Sequence, residues 1–211
     1  EREGKRKMFS AGADLTKSGI DPFSPKTEAI RASSTRGQDM CSMIESYEKP
    51  VIAMINGLAL GGGCEILLAC DMVVASETAE IGQPEISLGI IPGWGGTQRL
   101  PRKGGPSKAK QMILTGERIS ARDAEKIGLV NIVAPPEKLE EVTMELAKKL
   151  ISKSPIILKL AKRAMNQGLE TNLKNGLKIE NDAFVECFST EDVREGMQAF
   201  LEKREPKFKG K

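Results

Sequence analysis

No histidine occurs among the 211 residues. That absence removes the side chain that most often serves as a general base near neutral pH, and it excludes any Ser–His or Cys–His nucleophilic machine. Acid–base chemistry must then fall to carboxylates, lysines, cysteines or the lone Tyr47. Long hydrophobic runs are missing too. None reaches the ~18 residues of a membrane-spanning helix, so no membrane partner is expected. Charge of one sign is also scarce: 32 Lys and Arg against 29 Asp and Glu leave a net +3, no global field for nucleic acid, and none is expected as a partner. Cys41, Cys64, Cys70 and Cys187 lack paired metal-ligand spacing. No metal site is expected, and reduced thiols in a cytoplasmic protein are the natural reading.

Two phosphate-binding loops are excluded as well. A Walker-type loop needs Lys and then Ser or Thr after its second glycine. Gly57 and Gly62 are followed instead by Gly63 and Cys64. A dinucleotide fingerprint needs G-x-G-x-x-G, which neither "GLALGGGCE" nor "GWGGTQ" supplies.

What is present suggests one domain with a smaller appendage. The first residue is Glu1, not Met, and "EREGKRK" runs straight into apolar sequence, so a piece of a longer protein is expected. A loop through residues 16–34 leads into a helix predicted at about 35–47. "PVIAMIN" reads as a buried strand, "GGGCEILLACD" as a short buried helix and "MVVAS" as another strand, together a βαβ unit. Residues 79–102 are rich in Gly and Pro and read mostly as loop, turning helical near Thr97. Helices are expected over "SKAKQMILTG" and over "SARDAEKIG" with Ser120 as its cap, followed by a short strand "LVNIVA". After Pro135-Pro136 the pattern is helical, with a capping box expected from Ser189 and Asp192 and a basic tail beyond Arg204. The boundary is therefore placed between 1–134, mixed α/β, and 135–211, helical.

The segment "NGLALGGGCEILLACD", Asn56 to Asp71, carries three consecutive glycines at a strand-to-helix junction. Glycine leaves the main chain open to close approach, and free N–H groups at a helix start favour an anion there. An oxyanion or a phosphate fits; tight helix–sheet packing is the bland alternative. Glu65, in the first helical turn, and Glu85, after Gln83-Pro84, are each unremarkable alone.

"FSAGADL" (Phe9–Leu15), "KPVIAMINGLALGGGCE" (Lys49–Glu65), "IGQPEISLGIIPGWGGTQRLPR" (Ile81–Arg102), "ILTGERISARDAEKIGLVN" (Ile113–Asn131) and "REGMQAFLEKR" (Arg194–Arg204) occur in this order. In motif content and spacing the chain resembles the crotonase, or enoyl-CoA hydratase, superfamily over nearly its whole length. The resemblance implies an α/β crotonase-like ββα superhelix, a spiral core, followed by a C-terminal helical trimerisation region, with part of the usual N-terminal portion absent from this sequence. It implies reversible hydration of a 2-trans-enoyl-CoA to a 3-hydroxyacyl-CoA, with no cofactor because coenzyme A is part of the substrate. The partners it implies are the acyl-CoA thioester and further copies of the chain, as a homotrimer or a homohexamer.

Carried over residue by residue, the resemblance makes Glu65 and Glu85 catalytic. Glu65 would activate the water that attacks C3, and Glu85 would give the proton to C2. Ala13 and Gly62 supply the two backbone N–H groups of the oxyanion hole. Ala11, Gly12, Asp14, Leu15, Gly61, Gly93 and Trp94 contact substrate, and Phe200 and Lys203 reach the nucleotide end of a ligand in a neighbouring subunit. Alternatives remain: double-bond isomerisation or another reaction of the superfamily, or a non-catalytic acyl-CoA- or RNA-binding member. The presence of both acids favours hydration over isomerisation.

Overall fold

The computed structural model of the chain describes residues 7–14, 23–24 and 26–211. The chain divides into two compact units, residues 1–45 with 51–143 and residues 46–50 with 144–211.

The first unit winds as a spiral of short strands and helices. Its strands are β1 (Met8–Ser10), β2 (Ile52–Ile55), β3 (Leu58–Leu60), β4 (Met72–Ser76), β5 (Glu80–Gly82), β6 (Arg118–Ser120) and β7 (Ile132–Ala134). From β1 to β5 successive strands alternate between two sheets. One sheet has the order β1-β3-β5-β6 and the other β2-β4-β7. All pairings are parallel except β5 with the antiparallel β6.

The helices of this unit are α1 (Thr27–Ser46), α2 (Gly62–Ala69), α3 (Gly96–Gly104), α4 (Pro106–Thr115) and α5 (Ala121–Lys126), with 3-10 turns at Pro84–Leu88 and Pro136–Lys138. Within the apolar run Val51–Ile55, strand β2 buries Ala53 and Ile55 on one face, while Met54 on the other is exposed. Ile55, Ala59, Leu67, Leu68, Ile81, Leu100 and Met112 form the centre of a shared core.

Three differences from the sequence reading have physical causes. The expected strand–helix–strand unit is strand–strand–helix: β3 lies between β2 and α2, and three residues are too few for alternation to show. Helix α1 begins eight residues before the expected position, because Ser33, Ser34, Thr35 and Gly37 dilute its apolar stripe while Gly37 and Cys41 form its buried face. Residues 80–82 pair as β5 with β3 and β6, although their glycine and the following proline read as loop. The cap at Ser120 is as expected, its Oγ accepting from Asp123 N at 3.1 Å.

The second unit contains the rest of α6 (Leu139–Ile151), then α7 (Pro155–Leu169), α8 (Leu173–Cys187) and α9 (Glu191–Glu202). Helices α7 and α8 touch through Gly168 and Gly176, where a Cβ on Gly176 would lie 3.4 Å from the Gly168 carbonyl. The cap of α9 is Thr190, not Ser189, and its Oγ1 accepts from Val193 N at 3.2 Å. Asp192 is not part of a capping box. It is 2% exposed and accepts from Ser154 Oγ (2.7 Å), Lys209 N (2.7 Å) and Gly210 N (2.9 Å). The basic tail therefore folds back onto α9 instead of trailing into solvent, with Glu191 N donating to the Lys211 carbonyl at 2.8 Å.

Candidate active site

Strands β1, β3 and β5 are parallel neighbours, so their C-terminal ends share one edge of the sheet. In open α/β sheets that edge is where ligands bind. Residues 11–14 follow β1, residues 61–65 follow β3, and residues 83–85 follow β5. A single geometric fact thus gathers segments that are 50 and 20 residues apart in sequence.

The first two segments meet main chain to main chain. Gly12 has φ +90°, and a Cβ there would lie 2.8 Å from Gly62 N. Only glycine combines that conformation with that clearance. Gly62 itself lies under the Trp94 indole, since a Cβ at 62 would come within 2.5 Å of the ring. Gly62 opens α2, where the first N–H groups have no intrahelical acceptor. Among the described residues neither Ala13 N nor Gly62 N has a hydrogen-bond acceptor.

Glu65 is one turn into α2, its N–H donating to Gly61 O at 3.0 Å, and the residue is 2% exposed. Its Oε1 accepts from Trp94 N at 2.7 Å and Gly96 N at 2.8 Å, and the Gly95 amide also faces the carboxylate. Burial pushes this carboxyl above its ordinary range, opposed by those amides and by the Arg99 guanidinium.

Glu85 sits in the first turn of the 3-10 segment and is pushed up to about 7 by burial, with the charge on Glu65 adding to the shift. The fully buried Gln83 lies across both Glu85 oxygens. Turned with its nitrogen toward them, it donates at 2.9 and 3.0 Å. Glu85 also lies near the glycine triplet: a Cβ on Gly61 would be 3.1 Å from its Oε1. Glu65, Glu85 and the two candidate amides therefore converge on one edge.

The remaining expected residues are distributed as follows. Ala11 and Asp14 are exposed in the segment after β1, and Leu15 lies outside the described residues. The Gly93 carbonyl accepts from Ser34 Oγ at 2.7 Å and Gln38 Nε2 at 3.1 Å, so this glycine is tied to α1. Phe200 (82% exposed) and Lys203 (φ 55°, at the end of α9) belong to the second unit. Gln83, Gly96 and Arg99 were not among the residues singled out from sequence; the buried amide two positions before an acid in "IGQPE" was the available signal. Among the described residues no three Cys, Asp or Glu side chains converge as metal ligands.

The family model for enoyl-CoA hydratase/isomerase matches residues 3–211. The chain belongs to that family. Among its relatives, a crotonyl-CoA hydratase of Syntrophomonas wolfei is 47% identical over 204 residues, covering 96% of this chain and 76% of that protein. A 2,3-dehydroadipyl-CoA hydratase of Escherichia coli is 45% identical over 208 residues, covering 99% and 79%. The crystal structure of an enoyl-CoA hydratase from Bacillus anthracis superposes with a TM-score of 0.91 at 46% identity, covering 98% of this chain and 79% of that one. The architecture described above is thus the crotonase fold with a C-terminal helical region, the fold shared by this hydratase/isomerase family.

Proposed function

We propose that the chain reversibly hydrates 2-trans-enoyl-CoA to 3-hydroxyacyl-CoA, with Glu65 and Glu85 acting on one water above a thioester held by Ala13 N and Gly62 N. The observation that carries this reading is the convergence of a buried carboxylate, Glu65, and a half-buried one, Glu85, on a pair of amides that have no acceptor among the described residues. Glu65 is surrounded by donors that favour its anion: Trp94 N and Gly96 N at its Oε1, with Arg99 nearby. It is the base that takes a proton from water as the oxygen bonds to C3. Glu85, its carboxyl pushed up to about 7, is partly protonated at neutral pH and in that form can deliver the proton to C2. Electrons displaced from the C2–C3 double bond pass to the thioester oxygen, where the two amides stabilise the developing enolate by several kcal/mol. Protonation at C2 returns them; the proton gained by Glu65 then passes through solvent to replace the one lost by Glu85, and the sum is addition of one water with no change of redox state. Nothing but the acyl-CoA and water is consumed, so this reading calls for no cofactor. Similarity to the crotonyl-CoA hydratase supports the substrate class.

The same reading extends to assembly and location. Exposed Leu169, Leu173, Leu177, Phe184 and Phe188 in the second unit favour association into a trimer or hexamer. Four free thiols favour a cytoplasmic setting.

The test is the loss of conjugated-enoyl absorbance when crotonyl-CoA meets the protein. Glu65→Gln and Glu85→Gln, each shown to be folded, should lower the rate about 10²–10⁴-fold. Rates within a few fold of the parent would overturn the roles of the two acids.

A further inference from the structure

Two of the three peptides whose amides face Glu65 are held by side chains that no part of the chemistry uses; the third, Gly95–Gly96, is held by the backbone of α3, its carbonyl accepting from Gln98 N and Arg99 N at 3.0 and 2.8 Å. Trp94 N belongs to the peptide unit whose oxygen is the Gly93 carbonyl, and that oxygen is gripped by Ser34 Oγ and Gln38 Nε2. The next unit pairs the Trp94 carbonyl with Gly95 N. Arg99 Nη1 donates to that carbonyl at 3.0 Å. A trans peptide is planar, with its N–H directed opposite its C=O. A donor that grips the carbonyl from one side therefore aims the amide at the other, and here the other side is Glu65.

Arg99 is fixed in turn. Its Nε and Nη2 donate to both carboxylate oxygens of Glu45 at 3.1 and 2.7 Å, and Nη2 also reaches Ser42 Oγ at 3.3 Å. Its guanidinium fills the space beside Gly95, which has φ +114° and whose Cβ, if present, would lie 2.1 Å from Nη1. Ser34, Gln38, Cys41 and Glu45 recur at helical spacing on α1, so one helix face holds the segment 93–96 from end to end. Cys41 belongs to this face through its thiol, 3.7 Å from the Glu65 carbonyl.

We infer that Arg99, braced by Glu45, is a positioning residue for Glu65: it orients the Trp94–Gly95 peptide so that the amides facing the carboxylate favour its anion and aim it. The inference rests on Glu65 being the base. Removing the brace lets those peptides rotate, weakens the amide bonds to Oε1 and takes away a nearby positive charge, so Glu65 binds its proton more tightly. The ionisable groups facing Glu65 are Cys41 from α1, Cys64 from α2, Glu85 from the 3-10 turn and Arg99 from α3. Both thiols are pushed up by burial, that of Cys41 to about 11, so they stay neutral across an assay range of pH 5–9.

The experiment compares the full chain with Arg99→Gln, Glu45→Gln and the double variant. The Glu65 carboxyl is titrated in the unliganded proteins by carbon NMR, and crotonyl-CoA hydration is followed against pH. In both single variants the Glu65 titration and the acid limb of kcat/KM move to higher pH. Arg99→Gln loses about 100-fold in kcat, with KM within about threefold of the parent. The double variant loses no more than Arg99→Gln alone, since both act through one chain of contacts. Arg99→Lys, which keeps a charge and a donor, restores most of the Glu65 titration. Multiplying losses in the double variant, an unmoved Glu65 titration in folded Arg99→Gln, or a change confined to KM would each overturn the inference. Should the parent chain fail to hydrate any enoyl-CoA, the proposed function fails, and the titration alone still decides the role of Arg99.

Discussion

Two carboxylates, one in each unit, are equally hidden from solvent. Glu65 and Asp192 are both 2% exposed. Burial pushes each upward, yet they end on opposite sides of the ordinary range. At Asp192 the Ser154 hydroxyl and the amides of Lys209 and Gly210 outweigh burial, and the carboxyl titrates below the usual value. At Glu65 burial outweighs the amides of Gly96 and Trp94 and the charge of Arg99, and the carboxyl titrates above it. The difference separates a structural acid from one that the proposed function makes reactive. Asp192 is satisfied by groups that close the tail over α9, so its charge costs nothing further. Glu65 is left short of full compensation beside a second carboxyl, so a proton can move.

The widest separation between the two sites is kinetic. Glu65→Gln should lower crotonyl-CoA hydration about 10²–10⁴-fold while leaving the melting temperature unchanged or higher. Asp192→Ala should do the reverse. It strands the Ser154 hydroxyl and two amides in a buried place, so a loss of about 3 kcal/mol in chemical denaturation is expected, with turnover per folded molecule within about twofold of the parent. If Asp192→Ala unfolds at the same denaturant concentration as the parent, the contrast between the two acids is false.

A smaller effect tests the glycine that lets the two amide-bearing segments touch. Gly12→Ala forces a Cβ to 2.8 Å from Gly62 N at φ +90°, and should cost about 1–3 kcal/mol in stability together with a fall in kcat. Unaltered kcat would separate Gly12 from the reaction. The subtlest effect is on pH. Because the folded-state value of Glu85 is raised to about 7, its protonated form is the stabilising one, and stability falls as pH rises from the ordinary carboxylate range of about 4.3 through 7. Glu85→Gln should therefore melt about 2–4 °C above the parent at pH 8 if the relief is about 1 kcal/mol, with the gap closing towards pH 5. Asp192 has the opposite sign: its lowered value supports the fold above about pH 4, and that support is lost as pH falls through the folded value.

How far these features could be read in advance depended on how local each one is. The Gly61–Gly63 triplet and Glu65 sit within one strand-to-helix step, and their type and order are enough to mark a candidate anion site, with tight helix–sheet packing as the alternative. Helix α9 and the cap at Ser120 are similarly local. Strand β3 was hidden because three residues carry no detectable period. The cradle around Glu65 was hidden for a different reason: its donors lie 29 and 31 residues away as main-chain N–H groups, which any sequence would supply. The Glu45–Arg99 pair spans 54 residues, and no spacing rule links a residue on α1 to one on α3. Asp192 was misread as a cap because Asp near a helix start usually is one, and its true partners arrive from the tail.

The placement of the three segments beyond β1, β3 and β5 has an evolutionary corollary. Each candidate group is reached by counting a few residues from a strand end: Ala13 three past Ser10, Gly62 two past Leu60, Glu85 three past Gly82. Neighbouring strand ends are held about 4.8 Å apart by the ladder, whatever the chain does between windings. Insertions into the stretches that connect one winding to the next can therefore vary the family's chain length and outer surface freely, whereas a single residue gained or lost within those short counts would throw a reacting group out of register.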